Sequence, residues 1–108
     1  MASTEVTKVI EERLQSYELV FIISPEDDDE AVETIIDNLN KFITDGGGAI
    51  SNIERWGKRK LAYPIKRFLE GNYVLAQFTL KPASSRQLEA NLRIYEDILR
   101  YLLVKLSS

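Results

Sequence analysis

The chain predicts an α+β domain with the element order βαββαβ, and three observations carry that prediction. Segments rich in β-branched and aromatic residues, above all Tyr17–Ile23 and Tyr73–Leu80, read as strands. They alternate with segments whose apolar residues recur at helical spacing. Gly46-Gly47-Gly48 and the prolines Pro25 and Pro82 punctuate the boundaries between them. With 108 residues, 44% of them apolar and 29% charged, the chain has the size and composition of one domain around one core.

Tyr17–Ile23 ends at Ser24-Pro25 and is apolar on both sides: Tyr17, Leu19, Phe21 and Ile23 share one face, Val20 and Ile22 the other. Residues 28–45 form an amphipathic helix, with Val32, Ile35, Ile36, Leu39, Phe42 and Ile43 on one stripe. Asp27 is its expected N-cap, with Glu30 three residues on, and the acidic first turn suits the helix dipole. The glycine run ends it; a phosphate cradle would need the glycines before a helix, and these follow one. A second strand, about Ala49–Arg59, has a break near Gly57, and the odd spacing of Ile50 and Ile53 implies a bulge if both point inward. GKRKLAYPIKRFLEGN then reads as a long basic hairpin connection. The third strand, Tyr73–Leu80, stops at Pro82; a second helix runs from Ser84 to about Arg93 with Ser84 and Gln87 as a capping box; a fourth strand covers Ile98–Leu106.

This order is the split βαβ, or ferredoxin-like, pattern: a four-stranded antiparallel sheet with two helices on one face. The opposite face is then open, and plausible registers put Val20, Ile22, Leu75, Leu102 and Val104 on it; such a face reads either as an interaction surface or, more plainly, as common surface Val and Leu covered by neighbouring charged side chains. Residues 1–15 read as an N-terminal extension to a domain spanning 16–108. Val6, Val9, Ile10 and Leu14 make a narrow helical stripe there, but a segment so short does not hold a helix alone and is expected to be flexible.

The chain has no cysteine and no histidine. That removes disulfides, thiolate nucleophiles, the commonest transition-metal ligands and any histidine-based triad. No cofactor and no small-molecule substrate is expected. No apolar run reaches the 18 residues a membrane span needs, and the N-terminus lacks an uninterrupted apolar signal core, so the reading is a soluble intracellular protein. The net charge of −3 hides a segregation. The stretch from Glu54 to Arg67 carries +5, from Arg55, Lys58, Arg59, Lys60, Lys66 and Arg67 against Glu54, and the rest carries −8, much of it in Glu26–Glu33. Within the basic stretch, Gly57-Lys58-Arg59-Lys60 reads as a compact cationic tip, and Trp56, Tyr63 and Phe68 interleave with the cations. Cations hold phosphates and aromatic rings stack on bases, so the pattern points to RNA; the plainer reading is a solvated loop beside core aromatics.

Three alternatives share this topology. An RNA-recognition-motif domain requires a basic-Gly-aromatic run in the third strand, where this chain has Glu70-Gly71-Asn72-Tyr73. A regulatory ligand-binding domain requires a pocket with converging polar groups. An acylphosphatase-type enzyme requires an anion-holding loop after the first strand, where Glu26-Asp27-Asp28 repels phosphate. Asp27 and Asp28 as a metal pair is weaker than their reading as a helix start.

YELVFIISP, ERWGKRKLAYPI, GNYVLAQF and LRIYEDILRYLLVK resemble the corresponding segments of the bacterial small-subunit ribosomal protein six family, over about residues 16–106. The resemblance implies a non-enzymatic ferredoxin-like domain in the platform of the small ribosomal subunit, in the cytoplasm or in an organelle. It implies binding to small-subunit ribosomal RNA jointly with the eighteenth small-subunit ribosomal protein. The RNA-binding set it supports, with the charge pattern, is Arg55, Lys58, Arg59, Lys60, Lys66, Arg67, Arg93 and Arg100; the set for the protein partner is Val20, Ile22, Tyr63, Leu102 and Val104. The family usually begins just before the first strand, often with Arg, where this chain has Gln15-Ser16 and its extension.

Overall fold

The computed structural model describes residues 13–106; the rest of the N-terminal extension, including Val6, Val9 and Ile10, lies outside the described residues. The elements run β1 (Gln15–Ile23), α1 (Asp29–Asp45), β2 (Ala49–Ile65), β3 (Phe68–Leu80), α2 (Pro82–Ile94) and β4 (Ile98–Lys105). The strands form one antiparallel sheet in the order β2-β3-β1-β4, the ferredoxin-like arrangement that the element order predicts.

Both helices pack on one side. β1 gives that side Tyr17, Leu19, Phe21 and Ile23, and β3 gives it Val74, Ala76, Phe78 and Leu80; they close a core with Val32, Ile35, Ile36, Leu39 and Ile43 of α1 and Leu88 and Leu92 of α2. Ile50 and Ile53 pack against this core together because the β2–β3 register shifts between Ile50 and Asn52, the bulge their odd spacing implies.

α1 begins one residue later than expected. Asp28 is the N-cap and its carboxylate accepts a 2.8 Å hydrogen bond from the Ala31 amide. Asp27 instead turns toward Asp97, and its Oδ2 is buried with no hydrogen-bond partner among the described residues. Burial, and then the negative charge of Asp97, push the Asp27 carboxyl above the usual aspartate range. Gly46 ends the helix: its amide donates to the Phe42 carbonyl, and the Gly47 amide donates to the Thr44 carbonyl.

α2 begins at Pro82 rather than Ser84, so the expected capping box is not formed. Proline at the first helical position loses no hydrogen bond, since that amide has no partner in any helix. Ser85, not Ser84, turns its hydroxyl inward, donating to the Pro82 carbonyl at 2.8 Å.

The largest difference from the sequence expectation is the hairpin. What reads as a long connection is strand almost throughout, and only Lys66 and Arg67 make the turn between the paired Ile65 and Phe68. Two bulges absorb the residues that argue against a strand. Gly57, at φ 79°, sits at the register shift after Arg55, and Leu61–Pro64 stand opposite Leu69 alone. β2 is an edge strand, where proline and a run of cations do not interrupt pairing on the inner side. Lys66 takes φ 56°, as the first position of a two-residue hairpin turn requires. The last β1–β3 pair is Ile23 with Asn72, so the hairpin beyond Lys58 is a two-stranded arm running past the end of β1.

Candidate nucleic-acid and partner interface

The register defines the helix-free side of the sheet. Val20 pairs with Leu75 on β3 and Leu102 on β4; Glu18 with Gln77 and Val104; Ile22 with Tyr73 and Arg100. Val20, Ile22, Leu102 and Val104 therefore share the open face. Leu102 is 62% exposed and Val104 42%, whereas Val20 and Ile22 are half-buried. Leu75 is buried without belonging to the helix-side core, as are Leu61 and Ile65 from the arm.

Ile22 is covered by the close approach of β3. A Cβ at Gly71 would lie 2.4 Å from Ile22 Cγ2 and 3.3 Å from the Ile23 carbonyl oxygen, so glycine is what lets the arm cross at this point. From the Leu61–Pro64 bulge, Tyr63 reaches the far edge of the sheet, where the Arg100 guanidinium donates a 2.7 Å hydrogen bond to its hydroxyl. Tyr63 remains 55% exposed. Trp56 stacks on Tyr73, ring centroids 6.3 Å apart, and the Arg59 guanidinium lies 5.3 Å from the Trp56 ring centroid. Glu54 holds the indole: its carboxylate accepts from Trp56 Nε1 at 3.1 Å and from Asn52 Nδ2 at 2.8 Å, which keeps the Glu54 carboxyl below the usual glutamate range. The exposed aromatics Trp56 and Tyr63 thus frame the open face, each beside an arginine.

The candidate cations fall into distinct groups. Lys58, Arg59 and Lys60 are exposed along the arm rather than gathered at its tip; the tip is Lys66-Arg67. Among the described residues Lys58, Arg59, Lys60 and Lys66 make no ion pair, while Arg67 makes a 3.3 Å contact with Glu26 between two largely exposed side chains and lies over the Phe68 ring. Such a surface pair holds a guanidinium only weakly. Arg55 is different. In register with Val74, it faces the helices, and its two terminal nitrogens bind Glu33 at 2.8 Å and Asp29 at 3.0 Å on α1. Its charge is spent inside the chain, which separates it from the other cations of the basic stretch. Arg93 and Arg100 lie on opposite sides of β4: Arg93 donates to the Tyr101 hydroxyl at 3.2 Å on the helix side, and Arg100 stands on the open face.

Sequence reasoning misses the Tyr63–Arg100 and Trp56–Tyr73–Arg59 groupings, because both join residues distant in the chain through bulges whose size only the strand pairing reveals. The strongest signal available for them is the cluster of aromatics among the cations. No group of three or more Asp, Glu, His or Cys side chains among the described residues is placed to hold a metal ion, and none of the described helices is long and apolar enough to cross a membrane.

Known proteins share this arrangement. The family model described as ribosomal protein S6 matches residues 16–105. The small ribosomal subunit protein bS6 of Moorella thermoacetica is 38% identical over 93 residues, covering 86% of this chain and 95% of that protein. The protein of the same name from Dehalococcoides mccartyi is 40% identical over 106 residues, covering 98% and 97%. Among solved structures, the 30S ribosomal protein S6 from Thermotoga maritima superposes with a TM-score of 0.81 at 33% identity, over 87% of this chain and 89% of that one. A family match over the whole ferredoxin-like body, relatives aligned nearly end to end and a shared fold agree: the chain belongs to the ribosomal protein S6 family, a family of structural proteins of the ribosome and not of enzymes.

Proposed function

We propose that the chain is a structural constituent of the small ribosomal subunit that binds small-subunit ribosomal RNA jointly with the eighteenth small-subunit ribosomal protein, in the ribosomes of the cytoplasm. The observation that carries the RNA half is the arm. Lys58, Arg59, Lys60 and Lys66 stand exposed on it without carboxylate partners among the described residues, beside the exposed Trp56 and Tyr63. Free cations neutralise phosphates and release counterions, and exposed rings offer stacking surfaces to unpaired bases. Arg67 and Arg100 join this set, since each is exposed on or beside the same surface. Arg55, held by two carboxylates, and Arg93, on the helix side, are not placed with it.

The partner half is supported by the open face. Leu102 and Val104 expose apolar surface next to Val20 and Ile22, and a basic protein suits a chain whose charge outside residues 54–67 is −8. RNA binding by the chain with its partner protein, measured over a salt series, tests the first half. Replacing Lys58, Arg59, Lys60, Lys66 and Arg67 by alanine should reduce the slope of log K against log salt by about 3–5, roughly one for each phosphate no longer neutralised. An unchanged slope would place the RNA elsewhere.

A further inference from the structure

One carboxylate stands among the cations of the basic stretch, where phosphate binding has no use for it. From Glu54 to Arg67 the chain has six cations and one anion, Glu54. An exposed carboxylate on a phosphate-binding surface repels the ligand. The register shows what Glu54 does instead. Asn52, Glu54 and Trp56 occupy every second position of β2, and they share the helix-free side of the sheet with Gln77, Leu75 and Tyr73 of β3. The Gly57 bulge then changes the parity of the strand, so that Arg59, and not Lys58, continues this row. Glu54 accepts from Asn52 Nδ2 at 2.8 Å with one carboxylate oxygen and from Trp56 Nε1 at 3.1 Å with the other.

These contacts fix the plane of the only tryptophan in the chain. Glu54 anchors the edge of the indole, and Tyr73 stacks on it with 13° between the ring planes. The Arg59 guanidinium lies over the same ring. The indole is nonetheless 39% exposed. Arg59 makes no ion pair among the described residues, and the β3 position facing it is Gly71, which has no side chain to cover the guanidinium. A planar cation and a planar ring, held together on an edge strand with open surface on both, form a stacking shelf. Unpaired RNA bases stack on indole rings and on guanidinium planes alike. A shelf whose geometry is set before binding loses less side-chain freedom when the base arrives.

We infer that Trp56 and Arg59 form a stacking site for one unpaired base of the bound RNA, and that Glu54 is its positioning residue. This site rests on the RNA half of the proposed function and adds to it a base contact, distinct from the phosphate contacts of Lys58, Lys60 and Lys66. Stacking is tolerant of base identity, and the indole contributes no charge to the salt dependence. Glu54 acts through the indole: without its acceptor oxygens the ring is free to turn about its side-chain torsions, and Arg59 loses its support.

Binding of small-subunit ribosomal RNA by the full-length chain with its partner protein tests this through substitutions at two exposed positions, which leave the core intact. Trp56→Leu should weaken binding about fivefold or more, the loss of one stacked base. The slope of log K against log salt should stay unchanged, because no charge is removed. Glu54→Ala and Glu54→Gln both delete the negative charge, but only Gln keeps an oxygen acceptor for the indole. If Glu54 acted only as a charge, both would tighten binding. As a positioning residue, Glu54→Ala should weaken it about threefold or more, while Glu54→Gln should not weaken it. RNA should also quench the indole fluorescence, read as the difference between the native complex and the Trp56→Phe complex. Wild-type affinity in Trp56→Leu, tighter binding by Glu54→Ala, equal losses in the two Glu54 variants or an unquenched indole overturns the proposal. So does a Trp56→Leu chain that loses as much affinity for the partner protein without RNA, which would make the shelf a protein contact. The phosphate contacts are judged separately. A lowered salt slope in the variant lacking Lys58, Arg59, Lys60, Lys66 and Arg67, beside wild-type affinity in Trp56→Leu, removes the shelf alone; an unchanged slope removes both.

Discussion

Gly71 offers the sharpest test of how the arm crosses the sheet. Gly71→Ala places a methyl carbon 2.4 Å from Ile22 Cγ2, well inside van der Waals contact. The obstacle is a γ-methyl on a β-branched side chain with one strongly preferred rotamer, and the Ile23 carbonyl oxygen lies 3.3 Å away on the other side. Two effects then compete. Because Gly71 is not at positive φ, alanine is conformationally permitted, and restricting the unfolded chain stabilises by about 0.4–1 kcal/mol. Overpacking against a stiff neighbour costs about 1–3 kcal/mol. At the middle of both ranges the clash wins, and the net loss expected from urea denaturation is about 1.3 kcal/mol (the ranges span about 0–2.6), or a Tm lower by several degrees. Ile22→Ala removes Cγ2 and with it the obstacle. In that background Gly71→Ala should become neutral or stabilising, so a double-mutant cycle should return a coupling of about 1–3 kcal/mol. A Gly71→Ala protein that loses the same stability in both backgrounds would refute the contact with Ile22 as the cause.

Three further outcomes follow from the same geometry. Ile43→Ala, which empties a fully buried position beneath α1, should cost about 2–5 kcal/mol by chemical denaturation. Asp27→Asn removes a half-buried carboxylate whose pKa is raised in the fold. The folded state then holds that proton more tightly than the unfolded chain, so the native Asp27 disfavours folding progressively as pH rises through its folded pKa. The variant should therefore melt higher than the native chain at pH 7, and the two Tm values should converge near pH 3. Finally, Val20→Asp, Leu102→Asp should weaken calorimetric binding of the eighteenth small-subunit protein at least tenfold, whereas Arg55→Ala, on the helix side, should leave it unchanged.

The fold was legible in the chain because its signals are local. Alternation in Tyr17–Ile23 and the stripe from Val32 to Ile43 each report a face that must be buried, and the order of such segments restricts the topology to very few arrangements. The Ile50/Ile53 spacing even announced the bulge that the β2–β3 register contains. The family resemblance was legible for the same reason, in contiguous motifs such as ERWGKRKLAYPI.

What the tertiary structure decided is where long-range pairing outweighs local preference. Pro64, Gly57 and a run of cations argue against a strand locally, yet β3 pairs with Gly57 and the cations, the Leu61–Pro64 bulge takes up the proline, and an edge strand has one side on which proline and bulges cost little. The roles of the arginines were equally hidden. Arg55 and Arg59 sit four residues apart in one basic run, but the bulge at Gly57 and the register beside α1 commit Arg55 to Glu33 and Asp29 and leave Arg59 against Trp56 on the open face. Periodicity along the chain encodes which side of an element is buried; it does not encode which strand lies next to it or by how many residues the pairing has slipped. The residue types at the candidate surface belong to the sequence, and their sorting between the helix side and the open face belongs to the register of the sheet.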